Sequence, residues 1–419
     1  MIKSVTGTKD ILPADIPRWK YLEKIVEQVF THFNYKEIRT PVFEETALFA
    51  RSIGEETDIV GKEMYTFKDK SDTSLTLKPE MTASVVRSFV EHSLGAQQSL
   101  VKLYYISPMF RQERPQAGRF RQFHQFGAEA IGSPSPLLDV EMIQLAYEIL
   151  KLLGLRDLSV KINSLGTPGT RENYKKLLKD FLNDKKSKLS EDSRRRFDTN
   201  VLRIFDSKLE SDQELVKNAP KLIDHLDEES KNDFEVVKDE LSKSAISFEV
   251  DPALVRGLDY YTKLTFEITS GSVGSQNALC GGGRYDLLIE NLGGKPTPAT
   301  GFAAGIERIL LACENEKSFS TPESSIDVYL VRIDNKLDTF VSELAFQLRT
   351  KQIKVDFDYL QRSVRAQMRE ANKLKARFVI FIGGDEYKQG KLNLKNMSSG
   401  EEKHIPLGSP EDLINQLNI

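Results

Sequence analysis

Cysteine is almost absent from this chain: Cys280 and Cys313 are the only two in 419 residues, too few for a disulfide framework and too sparse for a thiolate metal site. Histidine is nearly as scarce, and His32, His92, His124, His225 and His404 show no ligand spacing. No metal site is expected. No apolar run approaches the roughly 20 residues needed to cross a bilayer, and residues 1–20 carry Asp10, Asp15 and Trp19 where a secretory leader would need an apolar centre. These absences predict a cytosolic chain with no membrane partner. Positive charge is not in surplus either: a net charge of -3 argues against non-specific coating of nucleic acid, while leaving room for a local basic surface. Solenoid-period repeats and low-complexity tracts are also missing.

What is present describes an ordinary globular protein, 39% hydrophobic and 29% charged, long enough for two or three domains. Trp19, Leu22, Val26, Val29, Phe30 and Phe33 recur at helical spacing after Asp15 and Pro17, predicting a helix over about 16–33. Residues 36–42 read as extended, with Pro41 marking an edge. Alternation on either side of Lys70-Ser71-Asp72-Thr73 predicts a hairpin, and a helix follows from near Glu80. Extended stretches at about 101–111 and 119–131, separated by a loop over 112–118, precede a helix at about 138–153. This is a run of antiparallel strands rather than regular strand-helix alternation, so the class is α+β.

From about 168 to 245 the sequence turns rich in Lys, Asp, Glu and Ser and predicts an inserted helical module. Strands return at 246–250 and 265–269, then come Gly281-Gly282-Gly283 and a helix at about 303–314. The polar segment 314–325, with Pro322, reads as a linker. Beyond it, strands at 327–333, 355–359, 378–382 and 391–396 alternate with helices, one over 362–375 and one at the C-terminus, to predict a small α/β domain. The expected domains are therefore 1–322, with the insertion inside it, and 326–419.

The stretch from Phe110 to Glu129 carries the most chemistry. In a strand, Arg119, Arg121, Phe123, Gln125, Gly127 and Glu129 share one face. Such a face can be merely solvated, yet the gap at Gly127 and the nearby Arg111 favour a pocket for a phosphate-bearing ligand, because guanidinium matches phosphate oxygens bidentately. In the last domain Arg362, Arg365, Arg369 and Lys373 fall on one helical stripe, opposite Val364, Met368 and Ala371. Charged stripes are usually solvated, but twelve Lys/Arg stand against five Asp/Glu between Arg349 and Lys395.

Phe110-Arg111-Gln112-Glu113 with the loop and 119–129 resembles motif 2 of the class II aminoacyl-tRNA synthetases. Residues 36–42 resemble motif 1, and Gly301-Phe302-Ala303-Ala304-Gly305-Ile306-Glu307-Arg308 resembles motif 3. Leu254-Val255-Arg256-Gly257-Leu258-Asp259-Tyr260-Tyr261 and Gly282-Gly283-Arg284-Tyr285-Asp286 are similar to the two signature peptides of the histidyl family. Residues 7–13 and Leu202-Arg203-Ile204-Phe205-Asp206-Ser207-Lys208 resemble its N-terminal and insertion peptides. Met81 departs from the glycine of many bacterial relatives.

The resemblance implies a class II catalytic domain of mixed antiparallel sheet with a helical insertion, a C-terminal α/β anticodon-binding domain, and a homodimer formed through motif 1. It implies activation of L-histidine with ATP, Mg²⁺ arriving with the nucleotide, and transfer to tRNA(His), without a permanently bound cofactor. Glu80, Thr82 and Gln125 would hold the amino group of histidine; Glu129 and Tyr261 would bracket its imidazole, with Tyr260 and Tyr285 lining the pocket. Arg111 and Arg256 would flank the α-phosphate as the catalytic pair, Arg119 and Arg308 the γ-phosphate, with Phe123 on adenine and Glu113 beside the nucleotide. Arg114, Gln116, Arg362, Arg365, Arg369 and Lys373 would meet tRNA. Two alternatives share parts of this pattern: a histidine-binding regulatory paralogue of histidine biosynthesis, which typically lacks the anticodon domain and the signature arginine, and another class II synthetase such as the prolyl or threonyl enzyme, which lacks the histidyl peptides.

Overall fold

The computed structural model describes residues 2–417 apart from 55–56, 58, 117, 208, 256, 275–276 and 319–324. The chain divides into two compact units, Met1–Ser320 and Thr321–Ile419. Half of the expected linker, residues 319–324 with Pro322, lies outside the described residues, and Glu314–Glu316 end the helix Ile306–Glu316.

The first unit is built on an eight-stranded sheet. Its strands are β1 (Lys36–Glu37), β5 (Val101–Phe110), β6 (Gln122–Ile131), β7 (Leu158–Ser164), β8 (Phe248–Val250), β9 (Thr262–Ser270), β10 (Ala278–Arg284) and β11 (Ala299–Gly305), ordered β1-β5-β6-β11-β10-β9-β7-β8. The central pairings are antiparallel, and only β1 on β5 and β7 on β8 run parallel. A three-stranded sheet of β2 (Phe43–Glu45), β3 (Tyr65–Lys68) and β4 (Ser74–Leu77) lies apart from it, in the order β2-β4-β3. Of the extended motif 1 stretch only two residues pair, and they do so at the sheet edge, as Pro41 requires.

One face of the large sheet carries the core. The helix Ile16–His32 starts with Pro at its first turn and buries Leu22, Val26, Val29 and Phe30. Phe30 stacks on Tyr104 at 4.6 Å and packs with Phe126 and Phe302. The helix Pro136–Leu152, capped by Ser135, covers the same face. Because strand residues alternate, Phe126, Ala128 and Ala130 point into this core and leave Phe123 and Gln125 on the other side.

The inserted segment contains helices Pro168–Asn183, Glu191–Thr199, Glu210–Val216 and Glu228–Lys243. It has no core of its own. Phe234, Val237 and Leu241 join the main core, while Tyr174, Leu178, Phe197 and Leu202 share a second cluster with Met81, Tyr260, Tyr261 and Tyr285.

Two sequence expectations are corrected here. Residues 303–305, expected in a helix, end strand β11, and the helix begins at Ile306. The small residues of this stretch suit a strand squeezed between two neighbours: a β-carbon at Gly282 would sit 2.3 Å from the Gly301 carbonyl oxygen. The second correction concerns parity. β6 begins only at Gln122, so Arg119 and Arg121 lie outside the alternation. Arg119 bridges back to Gln116, and Arg121 packs on the N-terminal segment, its side-chain carbons 2.7–2.8 Å from where a Gly7 β-carbon would stand.

The second unit holds β12 (Val328–Arg332), β13 (Val355–Phe357), β14 (Phe378–Ile382), β15 (Lys391–Asn396) and β16 (Glu402–Pro406), ordered β13-β12-β14-β15-β16. The first three are parallel and the last two antiparallel. Strand β16 was not legible as a strand because Glu401, Glu402, Lys403 and His404 give a polar edge with one buried residue, Ile405. No helix of the described residues is long and apolar enough to cross a membrane.

Candidate active site

A cleft of about 1100 Å³, including its open mouth, lies on the exposed face of β6, β10 and β11. Glu80, Thr82, Gln125, Tyr260, Tyr261 and Tyr285 line it together with Arg111, Glu113, Arg119, Phe123 and Arg308. Residues from five separate stretches of sequence thus meet in one cavity. Arg256, between them in the sequence, lies outside the described residues.

At one end stands Glu129, fully buried under the cleft floor. Its Oε1 accepts the Thr82 hydroxyl at 2.7 Å and the Tyr105 hydroxyl at 3.5 Å, while Oε2 accepts the hydroxyl of Tyr285. Burial pushes its carboxyl up to about 8, against the pull of these donors. In the unliganded site the group is therefore largely neutral at pH 7. Tyr105, on β5, gave no sequence signal; it is reached only because Gly127, opposite it in the register, leaves room for its ring.

Glu80 opens the helix Thr82–Glu91, accepting the backbone N–H of Thr82 at 2.7 Å and of Ala83 at 2.9 Å. It acts as an acidic cap on a helix N-terminus, and burial raises its pKa against those bonds. Gln125 adds a buried Oε1 without a hydrogen-bond partner, an acceptor aimed into a cavity and suited to an ammonium group. The rings of Tyr260 and Tyr261 lie 4.7 Å apart, and Tyr285 meets Tyr260 edge-on at 5.7 Å. The arginine of the second signature peptide serves the scaffold: Arg284, 1% exposed, binds Asp139, Asp286 and the carbonyls of Ser133 and Ser135.

The opposite end is cationic. Arg111 lies over the Phe123 ring at 5.3 Å and donates to the Pro79 carbonyl at 2.8 Å. Arg111 and Arg119 flank Glu113, at 3.7 and 3.0 Å. Arg308 donates to the Ala278 carbonyl at 2.6 Å. Burial, and then the charge of Arg119, push the Arg308 guanidinium below its usual range, with Glu113 opposing. Three guanidinium groups around one carboxylate leave excess positive charge for an anion. Glu307, also in the lining of the cleft, takes the backbone N–H and Nδ1 of His124, at 2.9–3.0 Å, fixing β6 against the helix Ile306–Glu316.

Arg114 and Gln116 stand exposed on the loop between β5 and β6, outside the lining of the cleft. In the second unit, the helix Val364–Lys373 carries Arg365, Arg369 and Lys373. Arg362 precedes that helix and is held by Asp358 and by Glu370, the latter at 3.1 Å. The single stripe expected from spacing is thus split. Arg365 and Arg369 are exposed and form no ion pair among the described residues, whereas Lys373 approaches Glu370 at 3.9 Å.

An antiparallel sheet flanked by helices, with the motif 1 stretch at its edge and a cationic cleft on its open face where the motif 2 and motif 3 residues meet the signature tyrosines, defines a class II aminoacyl-tRNA synthetase catalytic domain. The histidyl-tRNA synthetase family profile matches residues 7–309, and an anticodon binding domain profile matches residues 327–417. The chain is 46% identical to the histidine–tRNA ligase of Caldanaerobacter subterraneus subsp. tengcongensis over 99% of both chains, and 48% identical to that of Halothermothrix orenii over 97% of both. It superposes on the crystal structure of apo S. aureus histidyl-tRNA synthetase with a TM-score of 0.84 at 40% identity, covering all of each chain. The chain belongs to the histidyl-tRNA synthetase family. That full-length agreement, anticodon domain included, disfavours the regulatory-paralogue reading.

Proposed function

We propose that the protein activates L-histidine with ATP, with Mg²⁺ in the substrate complex, to give histidyl-adenylate and then transfers the histidyl group to tRNA(His). The observation that carries this reading is the polarity of one cleft: Glu80, Gln125 and Glu129 at one end, Arg111, Arg119 and Arg308 at the other. The amino group of histidine meets Gln125 Oε1 and the Glu80 carboxylate, supported by Thr82. Its imidazole lies between Glu129 and Tyr261 among the rings of Tyr260 and Tyr285. A ring N–H aimed at Glu129 supplies the partner that favours ionisation of this buried acid.

The histidine carboxylate is ionised at neutral pH and attacks the α-phosphorus without a general base. The attack adds negative charge at the phosphoryl oxygens, and Arg111, with Arg256 from the signature peptide, neutralises it. Arg119 and Arg308 take the γ-phosphate, Phe123 supports adenine, and Glu113 keeps the guanidinium groups apart before ATP arrives. The loop with Arg114 and Gln116 meets the acceptor end of tRNA, and Arg365, Arg369 and Lys373 meet its phosphates, with Arg362 bracing that helix. A cytoplasmic homodimer assembled through residues 36–42 completes the proposal.

Pyrophosphate exchange measured with each of the twenty amino acids tests it. Exchange with histidine alone is the expected result. Histidine binding without exchange would favour a regulatory protein, and exchange with another amino acid would reassign the specificity.

A further inference from the structure

The signature segment that supplies Tyr260 and Tyr261 forms no strand or helix at the described residues of 251–261. Something outside it must fix its backbone. Its first half is held from the sheet, where Asn163 donates to the carbonyls of Pro252 and Leu254. The Asp259 N–H donates to the Ile53 carbonyl. The described side-chain donors to the carbonyls of 257–261 come from the inserted helical module. Arg203 Nη2 donates to the Gly257 carbonyl at 2.7 Å, and Arg171 donates to the carbonyls of Tyr261 and Asp259, at 2.5 and 3.4 Å. Asn200 Nδ2 donates to the Asp259 carboxylate at 3.1 Å. The three carbonyls belong to alternate residues, 257, 259 and 261, so one edge of the segment faces the module while the rings of Tyr260 and Tyr261 line the cleft.

The donors are themselves anchored. Arg203 is only 8% exposed, and its own carbonyl accepts from Arg196 at 3.1 Å. On the far side Asp259 abuts Gly54, whose φ of +99° and whose missing side chain leave room for the carboxylate; a β-carbon there would lie 2.9 Å from Oδ2. Just past the segment, Lys263, at φ +44°, is tied to Glu229 and Asp233 of the helix Glu228–Lys243 at 2.6 and 2.8 Å. Charged donors on backbone carbonyls are among the stronger single hydrogen bonds, and they act on chain geometry without touching the ligand.

We propose that Arg171 and Arg203 are positioning residues: the inserted module holds the backbone of residues 257–261 and thereby sets where Tyr260 and Tyr261 stand in the amino-acid end of the cleft. This inference rests on the histidine site described above. Among the described residues the two arginines make no hydrogen bond to Arg111, Arg119 or Arg308, so their removal perturbs the amino-acid end first and leaves those three guanidinium groups in place, while any displacement of Arg256, next to Gly257 in sequence, would show in kcat rather than in the ATP KM.

The test is pyrophosphate exchange with Arg203→Ala, Arg171→Ala and Arg203→Lys, reading KM for histidine and for ATP separately, with a thermal melt of each variant. Each alanine variant should raise the histidine KM about ten- to hundredfold, the size of a lost charged hydrogen bond, and change the ATP KM less than about threefold. Arg203→Lys should recover part of the loss, since an ammonium still reaches one carbonyl. If an alanine variant does not fold, Asn200→Ala, which removes a single bond from an uncharged amide to the Asp259 carboxylate, should still raise the histidine KM a few-fold with ATP unaffected. Equal changes in both constants, or an unchanged histidine KM in folded variants, would overturn the inference. Failure of the parent protein to exchange with histidine would instead overturn the functional reading on which it stands.

Discussion

A β-carbon added at Gly301 would stand 1.9 Å from Oε2 of Glu129, its register partner on the neighbouring strand. The buried carboxylate occupies the volume that any other residue at 301 would fill. The same added carbon would lie 2.5 Å from the Ala128 carbonyl oxygen, so the backbone cannot easily yield.

Gly301→Ala should therefore displace the Glu129 side chain from Thr82 and Tyr285. Overpacking of this kind costs about 1–3 kcal/mol, visible as a lower melting temperature. Histidine affinity by calorimetry should fall at least about tenfold more than ATP affinity. Equal weakening of the two ligands would show that the strands had shifted as a whole.

The raised pKa of Glu129, about 8, makes unliganded stability depend on pH in a defined direction. An unfolded glutamate ionises near 4.3, so between roughly pH 4.3 and 8 the native state binds more protons than the unfolded chain. Stability from this group is fully present below that window and declines as pH rises through it. Glu129→Gln removes the titration. The melting temperature of the variant relative to the parent should climb steadily from pH 5 to 8, even as histidine binding weakens. A difference independent of pH would contradict the buried neutral acid.

Arg111 stands at the cationic end of the cleft and donates to the Pro79 carbonyl, next to Glu80. Arg111→Ala should slow adenylate formation by roughly 10²–10³, the range for removing one preorganised donor to a developing charge. Single-turnover chemical quench distinguishes this from a binding defect: the rate at saturating ATP and histidine must fall, and near-normal turnover there would remove Arg111 from the reaction.

The split of the basic stripe sharpens a prediction for tRNA. Arg365 and Arg369 are exposed and unengaged by acids among the described residues, whereas Arg362 is held by Asp358 and Glu370. The double charge reversal Arg365→Glu, Arg369→Glu should flatten the salt dependence of tRNA binding by up to about two log units per log salt, with adenylate formation unchanged. Arg362→Ala should mainly lower thermal stability, because it removes the closest guanidinium from the buried Asp358 and leaves Arg332 at 4.0 Å as its remaining cation among the described residues. An unaltered salt slope in the double variant would mark those arginines as merely solvated.

The sequence by itself determined the elements and the identity of most of the site, because both are written in local periodicity and in contiguous peptides. The amphipathic helix after Asp15, the hairpin about Asp72, the strand parity of Phe123, Gln125 and Glu129, and the motif and signature residues were all legible. Tertiary structure decided what local pattern does not encode. Parity failed at Arg119 and Arg121 because the strand starts at Gln122, three residues later than expected, and only its pairing partners could fix that point. Small residues near 303 resembled a helix until their close approach to β10 made them a strand. The environment of a group is likewise non-local: burial pushes the Glu129 carboxyl up while the hydroxyls of Thr82, Tyr105 and Tyr285 oppose it, and Arg203 reaches Gly257 across 54 residues of chain. Hydrogen bonds and desolvation depend on which atoms meet in space, and that is settled only when the sheet and its insertion have closed around the cleft.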